Sequence, residues 1–183
     1  MARPLSELTL EELWQLFPII LTEPNPEWTT WYADESARVR EVLDGVDVEL
    51  THIGSTAIPG IWAKPTVDIL AEVADAGQLD VVGKRLTENG YIEMSRSEGR
   101  ISLNCGYTPE GFAERVFHLH LRVAGDRDEV FFKDYLRGHP EAAAEYEALK
   151  LELWRQFEHD RDGYTDAKGD LIARYTALAK DGL

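Results

Sequence analysis

The sequence predicts an α+β fold, a small mixed β-sheet flanked by helices with a helical C-terminal third. Three observations predict it. Residues 66–73, "TVDILAEV", are almost wholly apolar, the pattern of a strand covered on both faces. Residues 100–105 and 116–123 alternate strongly and read as a hairpin. From Asp128 onward the pattern is helical, so helices pile onto the sheet at one end of the chain instead of alternating with strands.

The elements follow in order. A first helix starts at Thr9, because Thr9 and Glu12 form a capping box ahead of Leu13, Leu16 and Phe17. It belongs to an N-terminal extension, residues 1–24. Pro18 and "EPNPEW" break the chain, and a second helix runs to about Gly45. Trp31, Glu35, Val39, Val42 and Leu43 give it an imperfect apolar stripe, and Trp28 and Trp31 are assigned to its packing face. Val46 to Ile53 alternates, with Val48, Leu50 and His52 on one side and Asp47, Glu49 and Thr51 on the other. After the strand at 66–73, a helix spans roughly Gln78 to Asn89 and is closed by Gly90. The hairpin strands are separated by a longer loop, "GYTPEGFAER". Helices are expected over 128–139, 140–160 and 165–182, within a C-terminal helical region 128–183. No Gly/Ser linker, repeat or low-complexity tract divides the 183 residues, which predicts one domain over 1–183.

Composition narrows the function. The net charge of −15, from 19 basic and 34 acidic residues, disfavours binding to a nucleic acid duplex. Many of the acids sit on flanking helices, where they read as a solvated face. No apolar run reaches membrane-span length, and "MARPLSELTLEEL" lacks the apolar core of a secretory signal. A single cysteine, Cys105, excludes a disulfide framework and fits a reducing cytoplasm.

Three constellations stand out. In "THIGSTAIPGIWAKPTVDILAEV", a strand runs into Gly54-Ser55-Thr56. Such a turn either is ordinary or leaves backbone N–H groups and two hydroxyls free to cradle phosphate. Asp68 then sits inside the apolar strand, on one face with Thr66, Leu70 and Glu72. A buried carboxylate without a partner is costly, so Asp68 calls for a cation, a cleft or a basic partner such as Lys64. It is either a salt-bridged structural residue or a metal ligand or catalytic carboxylate.

On 116–123, Phe117, Leu119, Leu121 and Val123 form one row and Val116, His118, His120 and Arg122 the other. Arg100, Ser102 and Asn104 offer a matching polar row on the partner strand. The two histidines point the same way with Cα atoms roughly 7 Å apart, suited to ligate a metal, hold a phosphate or act as acid and base. Lys133 and Arg137, four apart on a helix, make a small basic face. With Lys64, Arg100, Arg122 and Lys168 they either converge on an anion or form scattered surface ion pairs.

"HIGSTAIPGIWAKPTVDI", "HLHL", "FKDYLRGHPEAAAEYEALK" and "YTDAKGDLI" together resemble the GrpB family, bacterial proteins placed in the polymerase β-type nucleotidyltransferase superfamily. The resemblance covers about Pro24 to Lys180. It implies a nucleotidyltransferase-like sheet whose glycine-serine turn binds a nucleotide or other phosphate-bearing small molecule. It also implies divalent metal, Mg2+ or Mn2+ ahead of Zn2+, held by paired carboxylates. Gly54 and Ser55 match the turn and Asp68 matches the first carboxylate. Residue 70, where the second acid belongs, is Leu70. Glu72 lies roughly 13 Å along the strand from Asp68, too far to share ions roughly 4 Å apart. The later-strand carboxylate is replaced by His118 and His120.

Two functions follow from the resemblance. In an enzyme, Asp68, His118 and His120 act in catalysis, with Asp68 and His120 as metal ligands. Gly54, Ser55, Thr56, Lys64, Arg122, Arg137 and Lys168 then hold phosphate. In a binding module, the pocket persists without catalysis and senses a nucleotide or coenzyme-A-linked ligand, since family members occur fused to dephospho-CoA kinase.

Overall fold

A computed structural model describes residues 3–182, so the ends of the predicted domain, residues 1–2 and 183, lie outside it. The elements are α1 (Leu10–Leu16), α2 (Glu27–Val42), β1 (Glu49–Ile53), β2 (Thr66–Val73), α3 (Gly77–Thr87), β3 (Ile92–Ser97), β4 (Arg100–Thr108), β5 (Gly111–Val123), α4 (Asp128–Gly138), α5 (Pro140–Phe157), α6 (Arg161–Ala167) and α7 (Gly169–Asp181). The five strands form one mixed sheet in the order β1-β2-β5-β4-β3. Only the β2–β5 pair is parallel; the others are antiparallel. The α+β class stands as expected.

The period-2 alternation of β2 and β5 sorts the sheet into two chemically different faces. Val67, Ile69 and Ala71 of β2 and Phe117, Leu119 and Leu121 of β5 pack with Val39 and Leu43 from α2 and its C-terminal end and with Leu79, Val82 and Leu86 of α3. Burying each such leucine or valine contributes about 1.5–3 kcal/mol, so this face is the main anchor of the sheet. Trp28 is buried in the same cluster and Trp31 packs against it, as assigned. The opposite face carries Thr66, Asp68 and Leu70 beside Val116, His118 and His120, with Asn104 and Ser102 opposite the histidines. The C-terminal helices enclose a cavity against this second face.

Several boundaries differ from those expected. Strand β1 begins at Glu49 rather than Val46. Strand β3 was not legible: all six of its residues are exposed at the sheet edge, so no apolar alternation marks it. The predicted ten-residue hairpin loop shrinks to Pro109-Glu110, because the strands pair as far as Tyr107 with Phe112 and Thr108 with Gly111. Gly106 permits this extension. Its φ is +92°, and a Cβ there would stand 2.4 Å from the Arg115 carbonyl oxygen, where the ladder changes register. The helix expected over 165–182 divides at Lys168 into α6 and α7, and α6 starts earlier, capped by Asp160 accepting from the Gly163 N–H at 2.9 Å.

The Thr9–Glu12 capping box is present, with both reciprocal hydrogen bonds. Just after α1, the Phe17 ring packs on Tyr107 and Phe112, with centroids 4.7 and 5.0 Å away. Among the described residues no helix is long and apolar enough to cross a membrane.

Candidate functional site

The site is assembled where β1 meets β2. Ile53 pairs with Asp68, so the turn leaving β1 emerges beside that carboxylate. Gly54 has φ +73° and ψ −173°, a region open essentially only to glycine, and a Cβ would lie 2.6 Å from Asp68 Oδ2. The short turn Ser55–Ala57 follows. Ser55 Oγ donates to Tyr146 Oη at 3.4 Å and faces the cavity. Thr56 turns away and bonds His52 Nε2 at 2.9 Å. His52 stacks on Tyr32, and burial pushes its pKa down to about 4, with Lys133 and Arg137 adding to the fall and Asp68 opposing it. Arg137 Nη1 donates to the Ala57 carbonyl at 2.8 Å, so it braces the turn from outside the cavity.

Asp68 meets both histidines. His120 Nε2 is 3.1 Å and His118 Nδ1 3.5 Å from the same oxygen, Oδ1. Burial pushes the Asp68 pKa up, but His118 and then His120 outweigh it and hold the carboxylate well below the usual range. His118 Nε2 lies 2.8 Å from Tyr107 Oη, which receives a 2.7 Å hydrogen bond from Arg161 Nη1. Arg161 only donates, so the Tyr107 proton goes to His118 Nε2, and His118 carries its own proton on Nδ1 towards Asp68. Burial lowers the His118 pKa against the pull of Asp68, consistent with a neutral ring.

These donors do not fit a pair of magnesium ions. Magnesium and manganese take oxygen ligands. Leu70, at the second acid's position, is 0% exposed and faces His120 across the sheet. Glu72 is 3.3 Å from Arg127. Both nitrogens of His118 are committed. Among the described residues no group of three or more His, Cys, Asp or Glu side chains is arranged to hold a metal ion. Asp68 and His120, the expected metal pair, are in direct carboxylate–imidazole contact at 3.1 Å.

The cavity, of about 760 Å³, is instead rich in cations. Lys64 precedes β2, Lys150 is on α5, Arg161 on α6 and Lys168 between α6 and α7. Among the described residues none of the four has a carboxylate within salt-bridge distance, whereas the cavity's Glu129 and Asp128 are paired with Arg122 and Lys180. Lys64 and Lys168 place Nζ 5.7 and 4.4 Å from the Tyr164 ring centroid. Lys150 is 1% exposed, donates to the Trp62 carbonyl, and lies 4.6 Å from the Tyr146 ring centroid. Burial lowers Lys64 and Lys150 to about 7, with neighbouring cations adding to the fall, and burial lowers Lys168 to about 8. The Tyr164 hydroxyl is buried with no hydrogen-bond partner.

The structure thus brings Gly54, Ser55, Lys64, Asp68, His118, His120 and Lys168 to one cavity. Thr56, Arg122 and Arg137 are not on its wall, which corrects their expected place among the phosphate-facing residues. Arg122 is buried and committed to Glu129, with Nη1 to Oε2 at 2.9 Å, because that pair neutralises a guanidinium on the sheet face. Lys133, expected with Arg137 in a basic face, pairs with Asp134 at 2.9 Å. Sequence reasoning missed Lys150, Arg161, Tyr107 and Tyr164. For Lys150 a signal existed: it shares the buried stripe of α5 with Ala142, Ala143, Tyr146 and Leu153, a charged residue in an apolar phase.

Comparison with known proteins gives the family and the fold. The family model described as GrpB protein matches residues 18–178. A UPF0157 protein of Streptomyces coelicolor is 34% identical over 155 residues, 83% of this chain and 79% of that protein. The chain spans only 46% of a UPF0157 relative from Bacillus subtilis, which is 31% identical. A dephospho-CoA kinase of Mycolicibacterium paratuberculosis is 26% identical over 82% of this chain and 43% of that protein. Among solved structures, conserved protein GrpB from Enterococcus faecalis superposes with a TM-score of 0.76 at 27% identity, over 87% of this chain and 96% of that one. The poly(U) polymerase Cid1 with MgGTP bound gives 0.51 at 14% identity, over 81% and 47%. That likeness is one of fold, and the fold is nucleotidyltransferase-like.

Proposed function

The chain belongs to the GrpB family, and on that premise we propose that its cavity binds a nucleotide or another phosphate-bearing small molecule. One observation carries the reading. The Gly54-Ser55 turn and four cations without carboxylate partners, Lys64, Lys150, Arg161 and Lys168, line one cavity in a protein of net charge −15. Collecting unpaired cations on a desolvated wall is costly unless an anion completes them. Backbone N–H groups and a hydroxyl at the turn suit phosphate oxygens. The single cysteine, Cys105, is a free thiol and supports a cytoplasmic setting.

Nucleotidyl transfer is the second reading, favoured by the contact of His120 with Asp68 on the cavity wall. A histidine held by a carboxylate suits proton transfer from an acceptor hydroxyl, while the cations stabilise charge on the leaving group. The accessory-module form of the binding reading is supported by the likeness to part of a dephospho-CoA kinase. It makes dephospho-coenzyme A a ligand to test beside nucleoside triphosphates.

Binding and pyrophosphate release, measured together with magnesium, manganese, zinc or chelator, separate the readings. Binding without release supports the module, and release supports the transferase. Absence of binding under every condition refutes both.

A further inference from the structure

We propose that the cavity takes a polyphosphate as the metal-free anion, with Lys64, Lys150, Lys168 and Arg161 supplying the positive charge and the Tyr164 hydroxyl donating to a phosphate oxygen. The proposal rests on the phosphate-binding reading and adds ligand class and charge state to it.

The carboxylate side of the cavity offers few oxygens to a metal-bound phosphate chain. Asp68 faces two histidines, Leu70 contributes no oxygen, Glu72 is held by Arg127, and Glu129 by Arg122. The cation side is open. Four positively charged side chains from the β2 approach, α5, α6 and the α6–α7 junction reach the same wall, and among the described residues none meets a carboxylate. A single phosphate presents one cluster of oxygens to donors that approach from four separate parts of the chain. A chain of phosphates matches that set, and the volume of about 760 Å³ accommodates one with a nucleoside attached.

Tyr164 gives the independent sign of a missing acceptor. Tyr164 is a fully buried residue of the cavity lining, two of the lysines lie against its ring, and its buried hydroxyl has no partner. An O–H in that position loses a hydrogen bond it would have in water, a cost relieved when an oxygen arrives. Lys150 repeats the pattern: one donor is used on the Trp62 carbonyl, and an ammonium carries three. The lysines thus occupy the role that magnesium plays when a phosphate chain binds between carboxylates.

Calorimetric titration of the chain with ATP, inorganic tripolyphosphate and inorganic phosphate, each in EDTA and in excess magnesium, tests this. ATP and tripolyphosphate are expected to bind in EDTA at least as tightly as in magnesium, since magnesium cancels ligand charge that the lysines need. Inorganic phosphate is expected to bind about tenfold or more weakly than tripolyphosphate, having fewer charge-assisted hydrogen bonds to form. Tyr164→Phe, which removes one oxygen and leaves the packed ring, and Lys150→Met are each expected to weaken tripolyphosphate about tenfold in EDTA. Circular dichroism checks that both variants keep the fold. Binding only in magnesium overturns the proposal and leaves the phosphate pocket standing. Equal affinity for phosphate and tripolyphosphate overturns its polyphosphate part, as full affinity in both variants overturns its residue assignment. No binding in either buffer overturns both readings.

Discussion

Asp68 occupies the space that a side chain on Gly54 would need: a Cβ at Gly54 would stand 2.6 Å from Oδ2. The phosphate-type turn and the strand carboxylate are therefore one mechanical unit, each fixing the other. Gly54→Ala must both adopt φ near +73° and push the carboxylate off the histidines. The expected loss is about 1–3 kcal/mol from the backbone alone, with further loss from the displaced contacts. Urea denaturation gives the first figure, and ligand titration is expected to show weakened binding in the same variant.

Asp68→Asn separates charge from shape. The native carboxylate is held well below its ordinary pKa, so its contribution is present at neutral pH and lost as pH falls below the unfolded value near 3.8. The variant is expected to be less stable than the parent by roughly 1–3 kcal/mol at pH 7, with the gap narrowing between pH 4 and pH 2. Denaturation midpoints across that range check it. A constant gap places the effect in packing, not in the His118 and His120 contacts.

Lys150 predicts a slope of the same sign in a higher pH window. Its folded pKa of about 7 lies below the ordinary lysine value of 10.5, so the unfolded chain binds more protons between those limits. Stability of the ligand-free protein therefore rises with pH from 7 towards 9, on the order of 1 kcal/mol per pH unit for a fully titrating group. The local cations Lys64 and Lys168 steepen the trend and Glu147 opposes it. Lys150→Met is expected to flatten the curve and to be more stable than the parent at pH 7. An unchanged slope contradicts the burial of an ammonium at this position.

Leu70→Asp asks whether the lost acid is what separates this site from a metal pair. Leu70 is completely buried opposite His120, so an aspartate there is expected to cost roughly 3 kcal/mol or more without metal. Magnesium is expected to raise the variant's melting midpoint and leave the parent's unchanged. Equal rises in both count against the reading of the donor set.

The sequence-level pattern was strong where one face of an element is apolar. The alternation of 116–123 placed His118, His120 and Arg122 on one row, and pairing with β2 then brought two of the three to Asp68. The same logic was silent for β3, whose Ile92, Met94 and four polar residues all face solvent. Spacing also says which residues share a face but not which neighbours claim them. Arg122 looked free on its strand, yet Glu129 reaches it from α4. Arg161 and Tyr107 lie 54 positions apart and meet only in the folded chain, a contact no local pattern encodes.

The aromatic stack at Tyr107 carries a further consequence. The family match begins at residue 18, and Phe17, one residue before it, closes on the ring whose hydroxyl orients His118. Phe17 thus presses on a residue one hydrogen bond from the cavity wall. Substitutions at Phe17 therefore act on His118 through the Tyr107 ring, from outside the cavity lining.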